Sequence, residues 1–245
     1  FGPMPGGIKQ HPFNQVDGLK KIIKKNTAAV VIELIQGEAG IVPAKKVFIN
    51  EIRKLCKKNN ALIVIDEVQS GVGRTGHLYA YEKYNIEPDI LCSAKGMGNG
   101  IPIGAILTTN KVAKAMQVGA HGSTYGGNPL ACSVSYEVFK EVSKKSFLNS
   151  VIKKEKLFIS LLNDLNKKYN CFTAVRSAGL WIGLELNSKI ENLTLQNIMS
   201  SAYDEGLMIL KANNNTLRLA PALTISEKEI KLGVKKLEKS LSRLL

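Results

Sequence analysis

Pro88-Asp89-Ile90-Leu91-Cys92-Ser93-Ala94-Lys95-Gly96-Met97-Gly98-Asn99-Gly100 is an apolar strand that runs into one lysine and then into a glycine-rich loop. Small residues precede Lys95 and Gly96 follows it, so its amine is expected at the end of a buried strand, in a cramped site with few competing donors. A lysine partly removed from water loses preference for its charged form and becomes a better nucleophile toward an aldehyde. The plainer alternative is a strand-end lysine that reaches solvent, and this stretch alone does not decide between them.

Upstream, Thr27-Ala28-Ala29-Val30-Val31-Ile32-Glu33-Leu34 and Ala61-Leu62-Ile63-Val64-Ile65-Asp66 are short, continuous apolar runs, the pattern of strands covered on both faces. Between them Val47, Phe48, Ile52 and Leu55 recur at helical spacing from Ala44 to Asn59. Strand, helix, strand is most economically a parallel sheet covered by helices. A brief helical stretch from Tyr79 to Tyr84 leads into the lysine strand, and Ile103 to Thr108 reads as the next strand. A helix near Asn110 to Gln117 and the loop His121-Gly122-Ser123-Thr124-Tyr125-Gly126-Gly127-Asn128-Pro129 follow; the loop opens a long helix at Pro129.

From about Phe147 the character changes. Lysine-rich helices near Ser150 to Tyr169 and Ser226 to Leu244 flank strands at Leu180 to Leu186, Leu207 to Leu210 and Thr216 to Leu219, with a helix from Leu195 to Glu205. The expected architecture is α/β: a mostly parallel sheet with helices on both faces over residues 1–146, then a smaller C-terminal α+β domain over 147–245.

The net charge of +14 raises the question of nucleic acid or an anionic surface. The lysines, however, sit in runs such as Lys20-Lys21-Ile22-Ile23-Lys24-Lys25, interrupted by apolar residues at helix spacing, which marks solvated outer faces. Cys56, Cys92, Cys132 and Cys171 are widely separated, with no Cys-x-x-Cys pair and no neighbouring His cluster, so neither zinc nor a disulfide framework is expected and a reducing cytoplasm fits. No apolar run is long enough to span a bilayer. The opening Phe1-Gly2-Pro3-Met4-Pro5-Gly6-Gly7 reads as loop, and the sequence is expected to be a piece of something longer.

Two nucleotide-binding readings compete. Gly71-Val72-Gly73-Arg74-Thr75-Gly76 spells the dinucleotide fingerprint, but Asp66 to Ser70 intervene after the strand, and Asp89 begins its strand instead of ending it. Leu62 to Glu67 resembles an acid-tipped NTPase strand, but no Gly-x-x-x-x-Gly-Lys-Ser/Thr accompanies it, and Lys95 would have no role.

Taken together, Glu33-Leu34-Ile35-Gln36-Gly37-Glu38, Ile65-Asp66-Glu67-Val68-Gln69-Ser70-Gly71-Val72-Gly73-Arg74-Thr75-Gly76, Ser93-Ala94-Lys95-Gly96 and Gly122-Ser123-Thr124-Tyr125-Gly126-Gly127-Asn128-Pro129 resemble the class III pyridoxal-phosphate aminotransferases, in order and along the whole chain. The resemblance implies a fold-type I transferase in which Lys95 binds the cofactor's aldehyde and shuttles the proton. Asp66 would bond the pyridine nitrogen, Gln69 would lie near the ring hydroxyl, and Glu67 and Val68 would line the pocket, Val68 against the ring. Without Lys95, Asp66 would read as a strand-end cap. Thr124 would bond the cofactor phosphate and Ser123 the substrate, both from a neighbouring subunit, so a homodimer with shared active sites is implied; the alternative for this loop is a simple helix-opening turn. Arg218 would grip a substrate carboxylate, and Glu38 would pair with Arg218 when the amino donor must not be held there. His121 reads as a loop residue, and no metal is implied.

The reaction implied is transfer of the terminal amine of N2-acetylornithine to 2-oxoglutarate, with ornithine, succinyldiaminopimelate or 4-aminobutyrate as alternative donors. The family's N-terminal phosphate turn, ring-stacking aromatic and second substrate arginine have no counterparts in this sequence, so the 245-residue chain by itself is expected to be inactive.

Overall fold

The computed structural model describes residues 2–245. A short helix α1 (Leu19–Ile22) precedes β1 (Ala29–Glu33), and a small hairpin, β2 (Ile35–Gln36) with β3 (Val42–Pro43), leads into α2 (Lys46–Asn59). β4 (Leu62–Asp66), α3 (Tyr81–Tyr84), β5 (Ile90–Ser93) and β6 (Ala105–Thr108) complete the first half. The sheet order is β1-β4-β5-β6, with β1, β4 and β5 parallel and β6 antiparallel to β5. Phe48, Ile49, Ile52, Leu55 and Cys56 of α2 are buried, in one core with Ile63, Ile65 and Leu91 of the sheet. Asn60, in the left-handed conformation, ends that helix.

Coverage of the sheet departs from expectation. Side chains alternate across a strand, so Val30, Ile32, Ile63 and Ile65 enter the α2 core while Val31, Val64 and Ile90, paired side by side, turn the other way. Val31 is 71% exposed and Ile106 67%. Among the described residues, then, the buried core lies on the α2 face of the sheet, and Val31 and Ile106 on the other face stand exposed.

The dinucleotide reading also fails on structure: Gly71 to Gly76 form successive turns and open no helix. No helix among the described residues is long and apolar enough to cross a membrane.

The second half begins with α4 (Asn110–Ala113) and α5 (Pro129–Val142), which Asn128 caps by accepting the N–H of Ala131, with Pro129 at the first position. Then come α6 (Lys145–Tyr169), β7 (Phe172–Ser177), β8 (Ile182–Leu186), α7 (Leu195–Asp204), β9 (Leu210–Ala212), β10 (Thr216–Leu219) and α8 (Glu227–Ser242), the last opened by a Ser226/Glu229 capping box. These strands form an antiparallel sheet in the order β7-β8-β10-β9. Its core joins Ile182, Leu184 and Leu217 to Leu162, Ile198 and Ile230 of the helices. β9 starts where the expected strand was to end, because Ala212 pairs with Thr216 across a turn at left-handed Asn213. β7 was not expected; a register shift between Phe172 and Ala174 breaks its alternation.

One junction ties the halves together. The Arg74 guanidinium donates to the carbonyls of Leu180 at 2.9 Å and Pro221 at 2.6 Å, and the Leu180 N–H donates back to the Arg74 carbonyl at 3.1 Å. Burial lowers the Arg74 pKa to about 10, so the group stays charged at neutral pH. The fit requires Gly179, whose φ is +64° and whose added Cβ would lie 2.3 Å from the Arg74 carbonyl oxygen. Gly179→Ala is therefore expected to cost more than about 2 kcal/mol in urea unfolding, through left-handed strain and backbone overlap. Gly6→Ala, with open space around it, serves as the neutral control.

Candidate functional site

Parallel pairing brings the carboxyl ends of β1, β4 and β5 to one edge of the first sheet, and the loops leaving that edge meet the second sheet around a cavity of about 1000 Å³. Val68, Gln69, Arg74, Lys95, Trp181 and Arg218 all line it. Carboxyl ends of parallel strands are where α/β folds place ligand sites.

Lys95 lies just beyond β5 and opens a single 3-10 turn, Lys95–Gly98. Its φ is +47°, in the left-handed region, a conformation that costs a non-glycine residue about 1–2 kcal/mol and clusters at functional positions. The expected cramped, water-poor setting is not found: Lys95 and Gly96 are exposed. The described residues wall the cavity by the loop after β4, the turn that Lys95 opens, α5, Phe147 of α6, the second sheet and the segment that follows β10.

Asp66 ends β4 half-buried beside Glu33, its register partner on β1, and accepts the Val68 N–H at 2.9 Å. It therefore makes the strand-end cap bond while keeping carboxylate capacity to spare. Glu33 was not singled out from the sequence; burial raises its carboxyl pKa, with Asp66 adding to the rise.

Glu67 is a correction. It is fully buried and lines no part of the cavity; it accepts from the Ser70 hydroxyl at 2.8 Å and from the N–H groups of Ala80 at 2.9 Å and Tyr81 at 2.7 Å. Burial raises its pKa against the pull of these three bonds. Neighbouring positions leaving a strand point to opposite sides, so with Asp66 on one side Glu67 organises the loop on the other.

Val68 and Gln69 do line the cavity. The Gln69 amide reaches the Glu38 carboxylate at 3.5 Å. Glu38 and Arg218, 180 residues apart, meet in an ion pair at 2.6 Å. Arg218 stands on β10 between Gly183 of β8 and Leu210 of β9, with its side chain 18% exposed, whereas that of Glu38 is 72% exposed. The hydrogen bond from Arg218 holds the Glu38 carboxyl below its ordinary value. Trp181, only 3% exposed, lies at the same end of the cavity. The sequence places it in a strand and gives it no further role; a lone tryptophan after Gly179-Leu180 is the signal it carries.

Ser123 and Thr124 are exposed and outside this lining. The Ser123 hydroxyl accepts the Gly126 N–H at 2.9 Å, which gives the loop the local turn geometry that was the alternative reading. His121 is exposed in the same loop. Among the described residues no group of three His, Cys, Asp or Glu side chains could hold a metal.

Lys95, at the carboxyl edge of the parallel sheet, and Arg218, from the second sheet, line one cavity, while Asp66 ends the neighbouring strand outside that lining. The description "Aminotransferase class-III" matches residues 5–241, and the chain belongs to this family. It is 49% identical over 245 residues to the acetylornithine/succinyldiaminopimelate aminotransferase of Buchnera aphidicola subsp. Schizaphis graminum, covering 100% of this chain and 60% of that protein. It is 46% identical to the acetylornithine aminotransferase of Vibrio parahaemolyticus, with the same shares covered. The N-acetylornithine aminotransferase structure from Stenotrophomonas maltophilia K279a superposes with a TM-score of 0.88 at 33% identity, over 98% of this chain and 63% of that one. The chain thus spans about 60% of the length of the curated relatives it matches.

The pair has a definite pH signature. A carboxyl lowered by its partner contributes above its unfolded pKa, and that contribution is lost as pH falls through the lowered value. In a carbon-13 NMR titration the Glu38 carboxyl should therefore titrate below the ordinary glutamate range, and Arg218→Ala should move its midpoint upward. A midpoint unchanged by Arg218→Ala would show that the ion pair is not formed in solution.

Proposed function

We propose that the protein is a pyridoxal-phosphate-dependent aminotransferase that moves the terminal amine of N2-acetylornithine to 2-oxoglutarate, leaving N-acetylglutamate 5-semialdehyde and glutamate. The observation that carries this reading is one cavity presenting a primary amine, Lys95, and across it a carboxylate-binding arginine, Arg218, held by a removable partner, Glu38. The names of the relatives support the donor, and the doubly named Buchnera relative makes succinyldiaminopimelate the second reading. Both donors carry a free amine at the end of the chain remote from an acylated α-amine; in succinyldiaminopimelate the carbon that bears it also bears a carboxylate.

The donor set suits pyridoxal phosphate. Lys95 makes no salt bridge among the described residues, so its amine is available to bind an aldehyde. Asp66 has a free carboxylate oxygen to hold a protonated ring nitrogen, Val68 offers an apolar contact for the ring, and Gln69 an amide for its hydroxyl. When bound, the cofactor supplies an electron-withdrawing ring that takes up the charge left when a proton leaves the carbon bearing the amine. Lys95, once displaced by substrate, would be the base that takes that proton and holds it for return. Arg218 receives the α-carboxylate of 2-oxoglutarate in a planar fork when Glu38 releases it. With Glu38 in place, Arg218 is closed to the donor, and one site serves two differently charged substrates.

Thr124 and Ser123 complete the phosphate and substrate contacts from a second copy of the chain in a homodimer. Tyr125, Leu130 and Tyr136, all strongly exposed around that loop, support such a contact. Four dispersed free cysteines suit a cytoplasmic enzyme.

Two measurements test the reading. Borohydride treatment with one equivalent of pyridoxal phosphate should fix the label on Lys95, and labelling at another lysine with Lys95 untouched would overturn it. In the active enzyme, Arg218→Ala should cost the 2-oxoglutarate half-reaction about 2–4 kcal/mol of transition-state binding and the donor half less. Equal losses in single-turnover rates for both halves would leave Glu38 and Arg218 as ordinary structural partners.

A further inference from the structure

The loop carrying Glu38 is held to the second sheet on both sides of that residue. Before it, Gly37 lies so close to the indole that an added Cβ would stand 2.4 Å from Trp181 Cζ2 and 2.7 Å from Cη2. After it, the Ala39 carbonyl accepts from Asn213 Nδ2 at 2.8 Å and the Gly40 carbonyl from Arg176 Nε at 2.9 Å. Gly40 has a φ of +108°, and its Cβ would meet Asn213 Nδ2 at 2.8 Å; a Cβ on Gly183 would meet the Gly40 carbonyl oxygen at 2.5 Å. Gly183 is the β8 residue paired with Arg218. The backbone around Glu38 is thus fastened to the sheet that carries Arg218, while the Glu38 side chain itself stands in solvent.

We propose that Trp181, Asn213 and Arg176 are positioning residues that form a fixed seat for this loop. The seat presents the Glu38 carboxylate to Arg218 from an immobile main chain, so the pair opens by rotation of the Glu38 side chain alone. Glu38 then acts as a tethered competitor for the dicarboxylate that Arg218 receives, and the seat sets its effective concentration. A ligand's apparent affinity falls with the fraction of protein in the competent state. Loosening the seat raises the fraction with Arg218 open, and a dicarboxylate binds more tightly. Simple structural damage would weaken binding, so a gain in affinity separates positioning from mere scaffolding. The inference rests on the reading that Arg218 receives the carboxylate of 2-oxoglutarate.

The chain contains one tryptophan, Trp181, which makes its fluorescence a reporter at the seat itself, with no cofactor needed. Titration with 2-oxoglutarate and with glutarate would be followed by this emission in the unaltered chain and in Glu38→Gln, Asn213→Gly, Gly37→Ala and Arg218→Ala. Glycine is chosen at Asn213 because its φ is +52°. Glu38→Gln should bind both dicarboxylates roughly tenfold more tightly, and Asn213→Gly and Gly37→Ala roughly threefold; Arg218→Ala should lose binding. If Glu38→Gln tightens binding while Asn213→Gly leaves it unchanged or weaker, the seat is overturned and the reading of Arg218 stands. If Glu38→Gln gives no gain, or Arg218→Ala still binds, that reading falls and the seat with it. Should Gly37→Ala fail to fold, Asn213→Gly decides alone.

Discussion

Parallel hydrogen bonding between β1, β4 and β5 is the constraint on which the rest depends. Because the three strands run the same way, their last residues share one edge, and Glu33 and Asp66 stand as register partners there with Lys95 three positions beyond the Asp66 partner Cys92. A parallel pair cannot be closed by a tight turn, so each connection must travel back along the sheet. Those returns leave the carboxyl edge free for loops. The site follows from the direction of the strands before any particular side chain is considered.

The second sheet contributes the opposite wall, and its attachment is polar as well as apolar. The Arg74 guanidinium satisfies two carbonyls from separate segments of that half, and the return bond from Leu180 makes the contact reciprocal. A buried cation without a carboxylate partner is costly unless its donors are used, and here the carbonyl dipoles supply the compensation. The same segment, from Gly71 to Gly76, first looks like a nucleotide loop. Its glycines instead allow close approach: a Cβ on Gly73 would stand 2.4 Å from Val142, and one on Gly76 would stand 2.5 Å from Ile152.

Much of this was legible in the residues. Continuous apolar runs mark β1, β4 and β5, and separated motifs draw Glu38, Asp66, Lys95 and Arg218 into one resemblance; Glu38 and Arg218 stand in an ion pair. What escaped has identifiable causes. The setting of Lys95 depends on what walls the cavity, which no local pattern encodes. Glu67 was grouped with its neighbours by motif, although two-residue alternation next to Asp66 already argued for the opposite face. β7 hid behind its bulge, and Trp181 acquired a role only when Gly37 was seen beneath its ring.

The bare face of the first sheet bears on how the chain behaves as a colloid. Val31 lies on an edge strand with its side chain in water, and Ile106 lies on the other edge. Unpaired edges beside apolar surface are templates for strand addition. A charge of +14 holds approaching copies apart at long range. That protection is ionic, and salt near physiological strength confines it to within about 8 Å. Among the described residues, repulsion between copies that comes from the lysine-rich outer faces is thus ionic and weakens with salt.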